Sequence, residues 1–494
     1  MSLVRSLIIL LASLLLVQQA SAESGRPNFI VILCDDLGYG DLGCFGHPHI
    51  KTPHLDKLAK DGIRFTSFYS AAPVCSPSRV GLLTGRNPNF AGVYDWIPHV
   101  EQKNQAGQQS RHLVHMRREE VTLPQILKSA GYATAMAGKW HCNAIFNNKA
   151  QPQPGDAGFD HWLATQNNAA PSHENPVNYV RNGKELGPLK GFSCQIAADE
   201  ASGWIEKHVS AKYDRPFFVY LAFHEPHEPV ASPADLVASY KDVARNEDEA
   251  QYFANVENMD RAVGTVLDKL DTLKIADNTV IVFSSDNGPE TLNRYPASKR
   301  SYGQPGPLRG MKLWTTDAGF RVPGIVRWPA ALKGGQTLNE PISSMDLLPS
   351  FAALGEATVP ADLILDGMDI SPLMKGEALP ERKKPLLWAY FNAINEQRVA
   401  LRHGEWKILA KLNHGKTPKI TNVTVENLPK VKDAVLTDFS LYKVSEDIHE
   451  DTDLSTAEPE IFSGMKREIE AAYQDMLARM HVWPAQPLSD QAHE

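Results

Sequence analysis

Four short segments at residues 29–33, 132–137, 217–223 and 279–283 are apolar with little alternation. Continuous apolar runs of that length read as strands buried on both faces. Helical signals lie between them. Thr52 is expected to cap a helix that has Pro53 in its first turn and Gly62 at its end. Thr122-Leu123-Pro124-Gln125 has capping-box form, and Gly131 stops the turn that follows. Val256, Met259, Val263, Val266 and Leu270 recur at helical spacing. Strands alternating with helices predict an α/β domain with a mostly parallel sheet.

The pattern changes near residue 380. Glu381-Arg382-Lys383-Lys384-Pro385 is a charged link ending in Pro. Residues 398–402 and 406–409 flank His403-Gly404-Glu405 as a hairpin. Met465, Ile469, Tyr473, Met476 and Met480 outline a last amphipathic helix. The expected division is a catalytic domain at 23–380 and a smaller α+β subdomain at 381–494. At the start, Arg5, the apolar run 7–17 and Ala20-Ser21-Ala22 have the form of a signal peptide, 1–22. That run is too short to span a bilayer, and no later run is long enough. Export to a periplasmic or extracellular space is expected, or to a lumen in a eukaryote, where Asn422-Val423-Thr424 would also be a glycosylation site.

Composition narrows the field. In 494 residues, 50 basic and 58 acidic side chains give a net charge of −8. No basic excess exists to neutralise a nucleic-acid backbone. Five Cys cannot form a disulfide scaffold.

The chemistry collects at strand ends. The four strands run into Asp35-Asp36, Gly138-Lys139-Trp140-His141, His224-Glu225-Pro226-His227 and Asp286-Asn287-Gly288. Ligands of parallel sheets bind outside the carboxyl ends of the strands, so one shared sheet would converge these groups. Asp35, Asp36, Asp286 and Asn287 are hard oxygen donors and suit Ca²⁺ or Mg²⁺ better than Zn²⁺. His141 and His227 are candidates for acid–base work. Each of these residues taken alone fits a turn, a cap or a structural role better; the same chemistry at separate strand ends shifts the balance.

Cys75-Ser76-Pro77-Ser78-Arg79 opens a helix and places residue 75 at its positive end. Together with Leu83-Thr84-Gly85-Arg86, it resembles the signature of the sulfatase family in the alkaline phosphatase superfamily. The resemblance extends through Asp35-Asp36, Gly138-Lys139-Trp140-His141, the Pro226-His227-x-Pro229 element, Ser285-Asp286-Asn287-Gly288 and Leu308-Arg309-Gly310-x-Lys312. It continues in Arg321-Val322-Pro323 and in Leu441-Tyr442 with Glu446-Asp447.

The resemblance implies an alkaline-phosphatase-like fold and sulfate-ester hydrolysis. In such enzymes a formylglycine-generating enzyme converts the cysteine, here Cys75, to Cα-formylglycine. Its hydrate attacks sulfur, and a sulfoenzyme intermediate then expels sulfate. One Ca²⁺ would be held by Asp35, Asp36, Asp286, Asn287 and residue 75. Arg79 would steady residue 75. Lys139, Lys312, His141 and His227 would bind sulfate, one His protonating the leaving alcohol. A sulfated carbohydrate is the expected substrate, with aryl sulfates also accepted, and residues 93–116 and 167–182 are expected to line the sugar pocket. Two departures stand out: Lys312 leads to Asp317-Ala318-Gly319 where Glu-Gly-Gly is usual, and Cys142 follows His141. With Cys75 modified, Cys34, Cys44, Cys142 and Cys194 remain, enough for two disulfides of open pairing. Two other readings stay open: a two-metal phosphatase or phosphodiesterase of the same superfamily, and a non-catalytic sugar binder using Trp96, Trp162 and Trp314.

Overall fold

The computed structural model describes residues 25–99, 114–211, 215–292 and 294–484; the expected signal peptide and part of the 93–116 loop lie outside them. Eleven strands of the described residues form one sheet. In chain order they are β1 (Asn28–Asp35), β2 (Ile63–Tyr69), β3 (Ala133–Lys139), β4 (His161–Thr165), β5 (Val180–Arg181) and β6 (Lys184–Glu185), then β7 (Phe217–Pro226), β8 (Thr279–Ser285), β9 (Arg321–Arg327), β10 (Gln336–Leu338) and β11 (Ile342–Ser343). The spatial order is β10-β2-β9-β8-β1-β7-β3-β4-β5-β6, with β11 also on β2. The four strands expected from apolar runs are the contiguous centre, β8-β1-β7-β3, and all pair in parallel. Strand β9 joins antiparallel, so the sheet is mostly rather than wholly parallel.

The continuous runs have the meaning expected of them. Phe29, Val31 and Leu33 of β1 enter one apolar layer, while Ile30, Ile32 and Cys34 enter the other. The second layer is closed by α1 (Pro53–Asp61), and further along the chain by the helices Ser193–Ser210 and Glu247–Thr272. The first holds α2 (Cys75–Thr84), α3 (Leu123–Ser129) and the helix Leu347–Leu354. Burial on both faces fixes the strand register, because a one-residue slip would exchange the two apolar sets.

Local expectations fared unequally. The Thr122–Gln125 capping box forms in full. Thr52 occupies the N-cap of α1, but its hydroxyl donates to Asp56 and accepts from Gly43. The free N–H groups of His54 and Leu55 go instead to Asp260, a carboxylate from a distant helix, at 3.1 and 2.8 Å. All five cysteines are unbridged. Cys34 and Cys194 lie in one apolar layer and Cys142 in the other, where each behaves as a small hydrophobe.

A separate antiparallel sheet follows: β12 (Leu386–Ala389), β13 (Gln397–His403), β14 (Trp406–Leu412) and β15 (Leu436–Lys443), in that order. The expected hairpin is β13–β14, turning at Gly404 with φ 57°. The terminal helix Pro459–Arg479 buries Met465, Ile469, Tyr473 and Met476.

Candidate active site

The site lies at the carboxyl ends of the four central strands, where the sheet delivers one polar group per strand. Asp35 closes β1 and Asp36 follows it in left-handed backbone at φ 63°. Such a conformation costs a non-glycine residue about 1–3 kcal/mol and is typical of functional sites. His141, after β3, is also left-handed at φ 55°. Gly138 has φ 108°, and a Cβ there would meet the Ala222 carbonyl at 1.8 Å. Only glycine lets β3 press against β7 as it turns toward Lys139 and His141. Gly288 serves the same end after β8: a Cβ would lie 1.6 Å from the Ala318 carbonyl.

Helix α2 begins at Cys75, with Val74 as its N-cap residue, and all ten of its residues are buried. Gly81 permits this closeness, since a Cβ would lie 2.3 Å from that of Ala71. Residue 75 is thus buried at the helix's positive end, as the sequence led us to expect. Arg79, one turn on, is wholly buried. Its Nε donates to Asp286 Oδ2 at 2.8 Å, its Nη2 lies in ion-pair contact with the same oxygen at 2.8 Å, and its Nη1 donates to the Lys139 carbonyl at 2.9 Å.

The ten residues singled out in the sequence are all brought together. Lys139 Nζ donates to Asp35 Oδ2 at 2.5 Å. Lys312 Nζ donates to Asp36 Oδ2 at 2.8 Å, and Asn287 Nδ2 to Asp36 Oδ1 at 2.7 Å. Asp35, Asp36, Cys75 and His227 each place a ligand atom within 4.8 Å of the others. Of the polar group that closes β7, only His227 joins the site. His224 turns to Thr165, and Glu225 accepts from Ser193 and the Cys194 N–H, capping the helix Ser193–Ser210. Trp162 packs into the core against Phe146, which removes it as a sugar platform.

Three site neighbours stand outside the residues singled out in the sequence, though Asn168 falls in the 167–182 segment expected to line the pocket. Asn168 Oδ1 accepts from Lys139 Nζ at 3.1 Å. Glu228 holds His227: its carbonyl accepts from Nδ1 at 2.8 Å, and its carboxylate lies 3.1 Å from the same nitrogen. Tyr390, from beyond β12, shares a small apolar cluster with Cys75. Glu228 occupies the variable place in Pro226-His227-x-Pro229, whereas Asn168 and Tyr390 belong to no motif.

Electrostatics follow from burial. Burial raises Asp35, but Lys139, His227 and Arg79 outweigh it and hold its carboxyl well below the usual range. Burial and the neighbouring Asp35 push Asp286 up to about 7. Three carboxylates in a dry space resist joint ionisation unless more positive charge arrives. Asp35 Oδ1 and Asn287 Oδ1 are buried with no hydrogen-bond partner. Partnerless buried oxygens among carboxylates fit a hard divalent cation. Burial, then Lys139 and Arg79, push His141 well down, so its imidazole is neutral. Burial opposes the charge on Lys312, yet Asp36 keeps its ammonium well above the usual range. Burial raises the Cys75 thiol far above neutrality despite Lys139 and Lys312. An unmodified Cys75 is therefore a poor nucleophile.

Comparison with known proteins agrees with this arrangement. The family model described as Sulfatase matches residues 27–357, and one described as N-sulphoglucosamine sulphohydrolase, C-terminal, matches 311–454. Human arylsulfatase A is 34% identical over 80% of this chain and 77% of its own. Human N-acetylgalactosamine-6-sulfatase is 32% identical, over 74% and 68%. The crystal structure of Ps i-CgsB in complex with k-i-k-neocarrahexaose superposes with a TM-score of 0.74 at 28% identity, covering 91% of this chain and 93% of that one. The PsFucS1 sulfatase from Pseudoalteromonas sp. shares the fold, with a TM-score of 0.72 at 22% identity and 94% of each chain covered. With relatives that are sulfuric ester hydrolases and a family match over most of its length, the chain belongs to the sulfatase family.

Proposed function

We propose that this sulfatase removes sulfate from a sulfated carbohydrate, with Cys75 converted to Cα-formylglycine and one Ca²⁺ held by Asp35, Asp36, Asp286, Asn287 and residue 75. The observation that carries the reading is the convergence of four strand ends on the buried start of α2. The hydrated aldehyde would supply one hydroxyl to attack sulfur and a second that gives up its proton, so that its oxygen becomes the aldehyde C=O as the carbon–oxygen bond to sulfate breaks. A divalent cation at these oxygens would withdraw charge from sulfate and acidify the hydroxyl.

The chain's own groups complete the site. Arg79 bridges Asp286 and the Lys139 carbonyl, and so holds β8, β3 and α2 in register around residue 75. Lys139 and Lys312 are fixed cations for the sulfate oxygens, where negative charge develops. The two histidines divide the remaining work. His141 Nε2 lies 2.8 Å from the Ile97 carbonyl, which assigns its proton there and leaves Nδ1 bare. A neutral ring with its proton so engaged can accept a hydrogen bond at Nδ1 from a hydroxyl but has no proton to give. His227 is the acid. Its Nδ1 is engaged by Glu228, and its Nε2 turns toward the cluster, 3.6 Å from Asp36 Oδ2. His227, Lys312 and the Tyr295 hydroxyl overcome burial and keep Glu228 ionised beside the His227 ring.

Human N-acetylgalactosamine-6-sulfatase and the neocarrahexaose complex support a carbohydrate substrate. The reading includes export after cleavage at residue 22, maturation by a formylglycine-generating enzyme, and division of the chain at 380. No helix among the described residues is long and apolar enough to cross a membrane. The test is sulfate release from an aryl sulfate and a panel of defined sulfated oligosaccharides, paired with mass spectrometry of the residue-75 peptide. Full turnover with an intact thiol would overturn it.

A further inference from the structure

Two cations near the sulfate site, Arg398 and Lys419, form no ion pair among the described residues. Arg398 is 8% exposed. Its Nη1 donates to the Phe391 carbonyl, and its Nε is buried with no partner. Burial pushes this guanidinium below its ordinary value, because no acid offsets it. Lys419 is exposed, and its neighbour Ile420 donates its N–H to the same Phe391 carbonyl at 3.3 Å. Burial and repulsion from Arg398 and Arg294 lower its ammonium. The acid that offsets it is Asp95, whose oxygens already accept from Tyr390 and Asn392 at 2.9 Å each. Arg294, the third cation, pairs with Glu290 and lies over the Tyr295 ring at 5.6 Å.

This group is tied to the reacting centre from two sides. Tyr390, which packs with Cys75, donates its N–H to the Arg398 carbonyl at 2.9 Å. Ile394, between them in the chain, donates to the carbonyl of Leu313, next to Lys312, at 2.9 Å. Tyr295, next to Arg294, donates its hydroxyl to Glu228 at 2.6 Å, and Glu228 holds His227. A guanidinium kept dry without an anion is costly, and its planar donors match sulfate or carboxylate oxygens.

Resting on the carbohydrate reading above, we infer that Arg294, Arg398 and Lys419 form a second anion subsite at the rim. The substrate is then a polyanionic glycan carrying another sulfate or a uronate carboxylate near the scissile ester. The cleaved sulfate goes to the buried site, and the second anion meets charge-assisted donors beside it.

The test uses Cys75→Ala protein, which binds without turnover. Calorimetry compares three oligosaccharides: disulfated, monosulfated with a uronate, and monosulfated neutral. At least one of the first two should bind about tenfold more tightly than the third, equivalent to about 1.4 kcal/mol. The preference should shrink with salt. Lys419→Ala and Lys419→Ala/Arg294→Gln should remove it stepwise, while the distant Lys333→Ala keeps it. Preference for one charged glycan alone identifies sulfate or carboxylate as the second anion. Equal affinity for all three, or equal weakening of all three by the variants, would overturn the subsite. If unaltered protein keeps the preference but releases sulfate from no ester, the sulfatase reading of the site fails and the anion subsite stands.

Discussion

At residue 75 the chemistry demands more than a cysteine provides. Burial raises the thiol, and sulfur has no second hydroxyl with which to expel sulfate. Cys75→Ala should therefore abolish turnover. Cys75→Ser, in a host that cannot oxidise serine, should trap a sulfated protein, visible as a mass increase that does not decay. The histidines should separate by leaving group. An aryl alcohol departs with little protonation, whereas a sugar alcohol needs it. His227→Ala should lower kcat on a sugar sulfate by about 10²–10⁴-fold and on an activated aryl sulfate far less. His141→Ala should lower both alike. Equal losses on both esters for His227→Ala would remove it as the acid. Asp286→Ala takes away both a proposed cation ligand and the anchor of Arg79, so bound calcium, measured by atomic emission, and activity should vanish together. Calcium bound stoichiometrically to that variant would contradict the assignment.

Among the elements, the helix Ser193–Ser210 shows how a single side chain fastens a sheet edge. Glu200 reaches His161 of β4 and Arg181 of β5. Burial opposes its ionisation, but these hydrogen bonds overcome it and hold Glu200 at about 2. Its folded value lies below the usual 4.5, so the stabilisation is fully present above pH 4.5 and is lost as pH falls toward 2. Urea midpoints should fall across that window, and Glu200→Gln should flatten the fall. Identical pH profiles for the two proteins would show that the pair contributes nothing. Element existence was legible in the sequence wherever burial was two-sided, as in the central strands, or periodic, as in the terminal helix. The cap of α1 was not. Thr52 has the right type at the right place, but the carboxylate that satisfies the helix start comes from Asp260, two hundred residues away in the chain. Local pattern cannot show a partner that only packing supplies.

For the whole molecule, the two sheets meet through a buried charge network. Lys407 of β14 bridges Asp317 and Glu450 at 2.7 and 2.8 Å, all three side chains fully buried. Arg321 of β9 joins Asp317 at 3.1 Å. Burial works against the Asp317 charge, but Lys407 and Arg321 outweigh it; burial pushes Glu450 up. Asp317 stands where the family's Glu-Gly-Gly stretch usually begins, and Arg309, before Lys312, donates to the Glu450 carbonyl at 2.8 Å. The network thus sets the loop that carries Lys312. Lys407→Ala leaves buried acid without its cation and should destabilise by about 3 kcal/mol in urea unfolding. A change below 1 kcal/mol would show that the sheets dock without it.

Taken alone, the sequence determined the central strands, the helix that begins at Cys75, the hairpin and the roster of polar residues that the site gathers. It could do so because apolar runs and cap residues act over a few neighbours. Family motifs added the chemistry expected at those positions. Tertiary structure decided the rest. It placed the four strands side by side, so that their ends share one site. It sent His224 and Glu225 away from that site while keeping His227, a choice that adjacency in sequence cannot express. It brought Asn168 onto Lys139, Glu228 onto His227 and Tyr390 onto Cys75. It also left Arg398 buried without an acid. Whether a charge is paired depends on which distant groups fill the space around it, and that is settled only when the chain is packed.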